Sequence, residues 1–286
     1  MVELRRLSPR VWYLPADEVT DRPNLAVIVG QRASLAVDAG NSPAHARELL
    51  NAVAGGGIAS LRYAAITHWH WDHVFGLATL DVPGIAHAET RRRVLEQASL
   101  DWSDEALDQR VTAGSEAAFC RDMIRAELPD RSELVIRAPD ITFDERVEVD
   151  LGGLTAVIEH VGGNHGPDCS IVYVPEERVL LLGDCLGADI YGGPPAYTRD
   201  KLFDLMDRLA AYEALWYQQG HGEPVARDRF WEYASTLRAV GELVGVYGDD
   251  VAAIKRGFAR RVGRPASDDD LWDAQAFMAG EARCHS

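Results

Sequence analysis

The chain reads as an α/β protein of the αββα sandwich type, with two mixed β-sheets face to face and helices on the outside. Three observations predict this. Short runs rich in Val, Ile and Leu come in two rounds, and each round leads into segments of helical periodicity. In both rounds a strand ends in a loop that carries histidine or aspartate. No stretch is rich enough in Pro, Gly or Ser to divide the 286 residues, so a single domain over 1–286 is expected.

In the first round, Val11 to Leu14, Leu25 to Val29 and Ser34 to Val37 form a meander punctuated by Asn24 and Gly30-Gln31. Ser42-Pro43 opens a helix as N-cap and first-turn proline, with Ala46, Leu49, Leu50 and Val53 on one side, and Gly55-Gly56-Gly57 stops it. Leu61 to Ile66 is a mostly apolar run that reads as a buried strand, and Val74 to Leu80 should be a helix. A helical insertion follows at about 89–130. Ser103 caps a segment starting at Asp104-Glu105, with Leu107, Val111, Phe119, Met123, Ile124 and Leu128 at helical spacing, and Pro129 ends it.

In the second round, strands are expected at Arg146 to Val149, Leu154 to Val161, Ser170 to Val174 and Arg178 to Leu182, with Pro175-Glu176-Glu177 turning the last hairpin. Thr198 caps a helix carrying Leu202, Leu205, Met206 and Leu209. Trp216 to Gln219 is a short strand, and a long amphipathic helix carries Phe230, Tyr233, Leu237, Val240 and Val244. The helical C-terminal extension, at about 248–286, places Asp268-Asp269-Asp270 ahead of Leu271, Trp272, Phe277 and Met278. It reads either as a packing helix or as part of a homodimer contact.

Composition narrows the function. A net charge of −16 argues against nucleic acid, whose phosphates need clustered Lys and Arg, and disfavours docking on anionic membranes. A small-molecule substrate is the remaining partner class. No apolar segment follows the N-terminal arginines and no window approaches 18 uninterrupted apolar residues. Cys120, Cys169, Cys185 and Cys284 show no CxxC spacing. Free thiols in the cytoplasm are therefore expected.

The stretch that carries chemistry is Thr67-His68-Trp69-His70-Trp71-Asp72-His73, directly after the strand ending at Ile66. It holds three of the nine histidines. A strand ending in a turn fans alternate side chains toward one point, so His68 and His70 can converge on one cation. Asp72 and His73 lie past the bend and can face a second. Neutral imidazole and carboxylate oxygen are the ligands that zinc takes at about 2.0–2.2 Å.

This HxHxDH pattern resembles the metallo-β-lactamase superfamily of metallohydrolases. The likeness extends along the chain: a later histidine in Gly162-Gly163-Asn164-His165-Gly166-Pro167, an aspartate in Leu181-Leu182-Gly183-Asp184, and a last histidine in Gly220-His221-Gly222. Val37-Asp38-Ala39-Gly40 is similar to the family's VDxG turn, in which the aspartate supports the metal loop, although a turn aspartate bonding its own backbone would read the same. The resemblance implies that His68, His70 and His165 hold one metal and that Asp72, His73 and His221 hold another, with Asp184 bridging. Two Zn2+ are the implied cofactors, with Fe2+ or Mn2+ as alternatives. It further implies a hydroxide shared between the metals, attacking a small ester, lactone, thioester or β-lactam while Asp72 orients it and passes a proton to the leaving group.

Tyr191 and Tyr197 are candidate neighbours of the substrate, because a tyrosine soon after the bridging aspartate resembles the lactonase branch. Trp69 and Trp71 should pack beneath the loop, one of them alternatively lining the pocket. The chain departs from the common His-x-Pro-Gly-Ser pattern in His165-Gly166-Pro167-Asp168-Cys169-Ser170, where Asp168 replaces a glycine. That carboxylate could favour a cationic substrate or hold His165 by a hydrogen bond. Cys185, next to Asp184, reads as a small buried hydrophobe. Two other functions use the same residues: a mononuclear iron persulfide dioxygenase, and a non-catalytic metal-binding protein.

Overall fold

Thirteen strands in two sheets build the described part of the chain, residues 3–132 and 134–284, in this computed structural model; the side chain of Cys284 lies outside the described residues. The first sheet contains β1 (Arg5–Arg6), β2 (Val11–Leu14), β3 (Leu25–Val29), β4 (Ser34–Val37), β5 (Leu61–Ala65), β6 (Gly84–His87) and β7 (Ile141–Phe143), in that spatial order. It is antiparallel from β1 to β4 and parallel from β4 to β7. The second contains β8 (Arg146–Asp150), β9 (Thr155–His160), β10 (Ser170–Val174), β11 (Val179–Gly183), β12 (Trp216–Gln219) and β13 (Val225–Ala226), ordered β13-β12-β11-β10-β9-β8, with β11 and β12 its parallel pair.

Side-chain alternation along the strands explains why the sheets stack. Ile28, Leu35 and Val37 of the first sheet meet Ile158, Val172 and Leu181 of the second in one buried cluster between them. Their sequence neighbours face the other way. Val27, Ala36 and Ala64 pack under the helices of the first half, and Ile171, Leu180 and Leu182 under those of the second. Both faces of the central strands are therefore buried, which is why they read as continuous apolar runs. The αββα sandwich is the observed fold.

The outer helices of the first half are α1 (Pro43–Gly55), α2 (Trp71–Val74), α3 (Leu77–Leu80), α4 (Ala88–Ala98), α5 (Asp104–Thr112) and α6 (Ala118–Glu127). Ser42 caps α1, its hydroxyl accepting from His45 N at 3.0 Å. Two expectations need correction. The helix foreseen over Val74 to Leu80 is two short helices, and the first begins before His73 and carries it. The break is at Gly76, where a Cβ would lie 2.0 Å from the Ala39 carbonyl oxygen, so the backbone is pressed against the turn below. The insertion is three helices rather than one periodic stretch. Gly114 takes a positive φ of 73° and α6 restarts in a new register, so Cys120 and Ile124 are buried while Phe119 is 55% exposed.

In the second half, α7 (Arg199–Leu209), α8 (Arg227–Tyr247), α9 (Val251–Val262) and α10 (Asp268–Cys284) cover the outer face. Phe277 of α10 is fully buried against Gly241 of α8, where a Cβ would meet the ring at 2.7 Å, so α10 is a packing helix. Tyr197, expected near the site, lies in this core instead, 5.0 Å from the Phe277 ring. Strands β1, β6, β7 and β13 were not foreseen; with two to four residues each they are too short to show a period. Among the described residues no helix is long and apolar enough to cross a membrane.

Asp273 on α10 provides a test of this packing. Burial, then the charges of Asp270 and Asp269, push its carboxyl up to about 7. In the unfolded chain an aspartate releases its proton near pH 4, so between about pH 4 and 7 the folded state holds a proton that the unfolded state has lost. Stability therefore falls as pH rises through that window. Asp273→Asn is expected to raise the thermal midpoint at pH 8 by about 2–5 °C and to leave it nearly unchanged at pH 4. Equal effects at both pH values, read by circular dichroism, would refute the assignment.

Candidate metal centre

Seven side chains converge at one edge of the sandwich, five from turns that follow strands and two from the short helix α2. His68 and His70 follow β5, Asp72 and His73 stand on α2, His165 follows β9, Asp184 follows β11 and His221 follows β12. They form two groups that could each hold a cation: His68, His70 and His165; and Asp72, His73, Asp184 and His221. Within each group the ligand atoms lie within 4.8 Å of one another. The first group's ring centroids are 4.3–4.9 Å apart. Asp184 Oδ2 stands between the groups, 3.6 Å from His165 Nε2, 3.4 Å from His73 Nε2 and 3.5 Å from His221 Nε2.

The polar surroundings fix which ring nitrogen faces inward. Asp38 Oδ2 is 2.8 Å from His73 Nδ1, and a carboxylate there requires that nitrogen to donate. The Thr67 hydroxyl donates to Asp38 and so accepts from His68 Nδ1 at 3.0 Å. His165 Nδ1 donates to the Ala188 carbonyl at 3.1 Å. Nε2 of His68 and His165 is thereby left with its lone pair toward the centre, and Nε2 of His73 faces Asp72 and Asp184. Among the described residues, Nε2 of His68, His70 and His165 is buried without any hydrogen-bond partner, while that of His73 lies 3.0 Å from Asp72 Oδ2. Buried polar atoms are rarely left so, and three orphans aimed at one place fit a set of metal ligands.

Electrostatics agree. Burial, reinforced by neighbouring imidazoles, holds His68 and His70 well below the usual histidine range, so both are neutral, the form a metal ligand needs. His73 and His221 are buried too, which opposes a charge. Asp72, Asp38 and Asp184 nevertheless lift His73 well above its usual value, and Asp184 and Asp72 lift His221 to about 9. Against the cost of burial, His73 and His221 hold Asp184 well below the carboxylate range. The second group thus places two buried carboxylates where only a proton on each imidazole or a bound cation can balance them.

Several supporting residues were not foreseen. Asn24, read only as punctuation, donates from Nδ2 to the carbonyls of Gln219 at 3.0 Å and Gly222 at 2.7 Å, and its own N–H donates to Gly220 at 2.6 Å. It holds the His221 turn onto the first sheet. Gly220 matters because a Cβ would fall 2.0 Å from Asp184 Oδ1, and Gly222 because its φ is 84°. Asp21, in the left-handed conformation at φ 57°, places Oδ1 3.7 Å from His221 Nδ1. Burial and the Asp72 charge push its carboxyl up to about 7. No local pattern marks Asp21, because its neighbour arrives from a turn 200 residues later.

The remaining expectations divide. Asp38 is the support beneath the metal loop, at a φ of 65°. Trp71 is buried and packs on Phe75, while Trp69 lies 5.1 Å from the Tyr191 ring. Tyr191 in turn lies 5.1 Å from the His70 ring, with its hydroxyl 3.9 Å from Cys120 Sγ. Cys185 is a buried hydrophobe with its thiol, and Cys120 and Cys169 are likewise buried free thiols. Asp168 does not bond His165. Its Oδ2 accepts from Trp69 N at 2.9 Å and Thr90 Oγ1 at 2.8 Å, so it ties the metal loop to α4, and burial pushes its carboxyl up to about 6.

Removing Asp38 should release Thr67 and both rings it steadies. Asp38→Ala is expected to weaken metal binding about 10- to 100-fold in a chelator competition, without abolishing it. An unchanged affinity would mean that Asp38 serves only its own turn.

A family model described as the metallo-β-lactamase superfamily matches residues 19–221. Among solved structures, a metallo-β-lactamase from Pontibacter korlensis aligns with a TM-score of 0.57 at 19% identity, over 82% of this chain and 98% of the other. A metallo-β-lactamase family protein from Thermus thermophilus aligns with a TM-score of 0.59 at 21% identity, over 96% and 92%. The sec-alkylsulfatase Pisa1 from Pseudomonas sp. aligns with a TM-score of 0.65 at 14% identity, over 96% of this chain and 47% of the other. No curated protein sequence matches the chain. With the family model spanning well over half of the chain, and the fold and both ligand groups in agreement, this protein belongs to the metallo-β-lactamase superfamily.

Proposed function

We propose that this protein is a binuclear metallohydrolase, with zinc as its metal, acting on a small ester, lactone, thioester or β-lactam. One observation carries the reading: Asp184 Oδ2 lies 3.4–3.6 Å from imidazole nitrogens of both ligand groups, as a carboxylate shared by two cations requires. His68, His70 and His165 would hold the first ion, and Asp72, His73 and His221 the second. When bound, two such cations would acidify a water to a pKa of about 7 and polarise a carbonyl.

The chain's own side chains supply the rest. Asp72, buried and 3.2 Å from His221 Nε2, is the group placed to steady the attacking water and take its proton, then return it to the leaving atom. Tyr191, beside His70, would turn its hydroxyl from Cys120 to the substrate carbonyl. Trp69 packs its ring 4.7 Å from that of His70. A mononuclear iron dioxygenase needs only a face of two histidines and one carboxylate on a single ion. The second group, with four ligating side chains, weighs for two metals.

Protein purified without added metal is expected to carry about two zinc ions per chain and to hydrolyse at least one member of an ester, lactone, thioester and β-lactam panel. His68→Ala should abolish turnover and lower the metal content. His221→Ala should lose the second ion and most hydrolysis while remaining folded. Tyr191→Phe should lower kcat by about tenfold, the loss of one hydrogen bond made in the transition state. One iron per chain, oxygen consumption with a persulfide and indifference to His221→Ala would overturn the proposal.

A further inference from the structure

The loop after Asp184 carries Tyr191 to the metal site, and its base is gripped by the C-terminal helix. Asp189 and Ala196 exchange backbone hydrogen bonds at 3.0 and 2.9 Å, closing the loop between them. Asp189 Oδ1 accepts the Tyr191 backbone N–H at 2.9 Å, and its Oδ2 accepts Arg283 Nη1, also at 2.9 Å. The same guanidinium donates to the Pro194 carbonyl, on the far side of the loop. One guanidinium thus bridges both arms.

The backbone of α10 approaches just as closely. Tyr197 N donates to the Ala276 carbonyl at 3.0 Å, and a Cβ on Gly280 would fall 1.9 Å from the Tyr197 carbonyl oxygen. Only glycine admits that contact. Between the gripped ends, Gly192 and Gly193 have positive φ values of 75° and 137°, so the tip has little stiffness of its own. Tyr191 sits one residue before this tip, and its ring must still be presented 5.1 Å from His70.

We propose that Arg283, acting through Asp189, is a positioning residue for Tyr191, so that the C-terminal helix is a working part of the metal site. The helix lies beyond residues 19–221, the part of the chain that the family model matches. The role of this brace is local. The Arg283 and Asp189 side chains are 32% and 39% exposed, and ion pairs that open to water contribute little to global stability. What the pair can do is restrict the loop.

The consequence for turnover rests on the hydrolase reading; the consequence for loop order does not. In the full chain, Arg283→Met should leave the thermal midpoint within about 2 °C of the parent. It should also speed amide hydrogen exchange across residues 189–196 by at least about tenfold, the Tyr191 amide included, while β11 and β12 are unaffected. On any substrate found, Arg283→Met should lower kcat about as far as Tyr191→Phe, and the double variant no further, because both remove one placed hydroxyl. Asp189→Asn, which keeps the Tyr191 N–H acceptor but drops the charge, should fall between. Unchanged exchange in the loop, or kcat losses that multiply in the double variant, would overturn the proposal. If no substrate is hydrolysed the hydrolase reading fails, and the exchange result alone still decides the brace.

Discussion

A carboxylate inside an apolar sandwich must be met by hydrogen bonds or by a cation, and the ligand edge of this protein is organised by that demand. Asp38 is met entirely by the chain: the Thr67 amide and hydroxyl and the His73 ring all bond its two oxygens. It stands in a left-handed conformation that costs a non-glycine residue energy, and those bonds hold it there. Asp72 and Asp184 are met only in part, by His73 and His221. The difference between the satisfied and the unsatisfied carboxylates separates scaffold from site.

The two halves meet this demand with the same device. In the first sheet β4 and β5 run parallel, and their ends deliver Asp38 and then His68 and His70. In the second sheet β11 and β12 run parallel, and their ends deliver Asp184 and then His221. Parallel strands end on the same side, so each pair projects an aspartate and a histidine together. The edges are then stitched: Ser170 N donates to Thr67 O at 2.8 Å, and Asn24 holds the His221 turn.

Much of this was legible in the chain because ligand chemistry is compact. His68 to His73 advertise themselves within six residues, and the strands that deliver the other ligands are uninterrupted apolar runs. Asp21 and Asn24 were not legible as site residues, since what they do depends on a turn that approaches through the fold. Tyr197 misled for the opposite reason. It lies close in sequence to Asp184, but the chain reverses at Gly192-Gly193 and returns it to the α10 core. The split of the helix after the motif came from a contact between Gly76 and Ala39 that no local pattern encodes.

The first ligand is residue 68 and the last is residue 221, and the oxygen that joins their groups belongs to residue 184. Neither sheet alone can assemble either complete group, because His165 completes the first from the second sheet and His73 completes the second from the first. Assembling the site therefore requires the chain's longest loops to close. A cation that recognises only the finished arrangement draws the population toward it by mass action, in proportion to the logarithm of its concentration over its dissociation constant. In this architecture a bound cation would be a clasp between two halves, and the supply of metal would set how tightly the sandwich is shut.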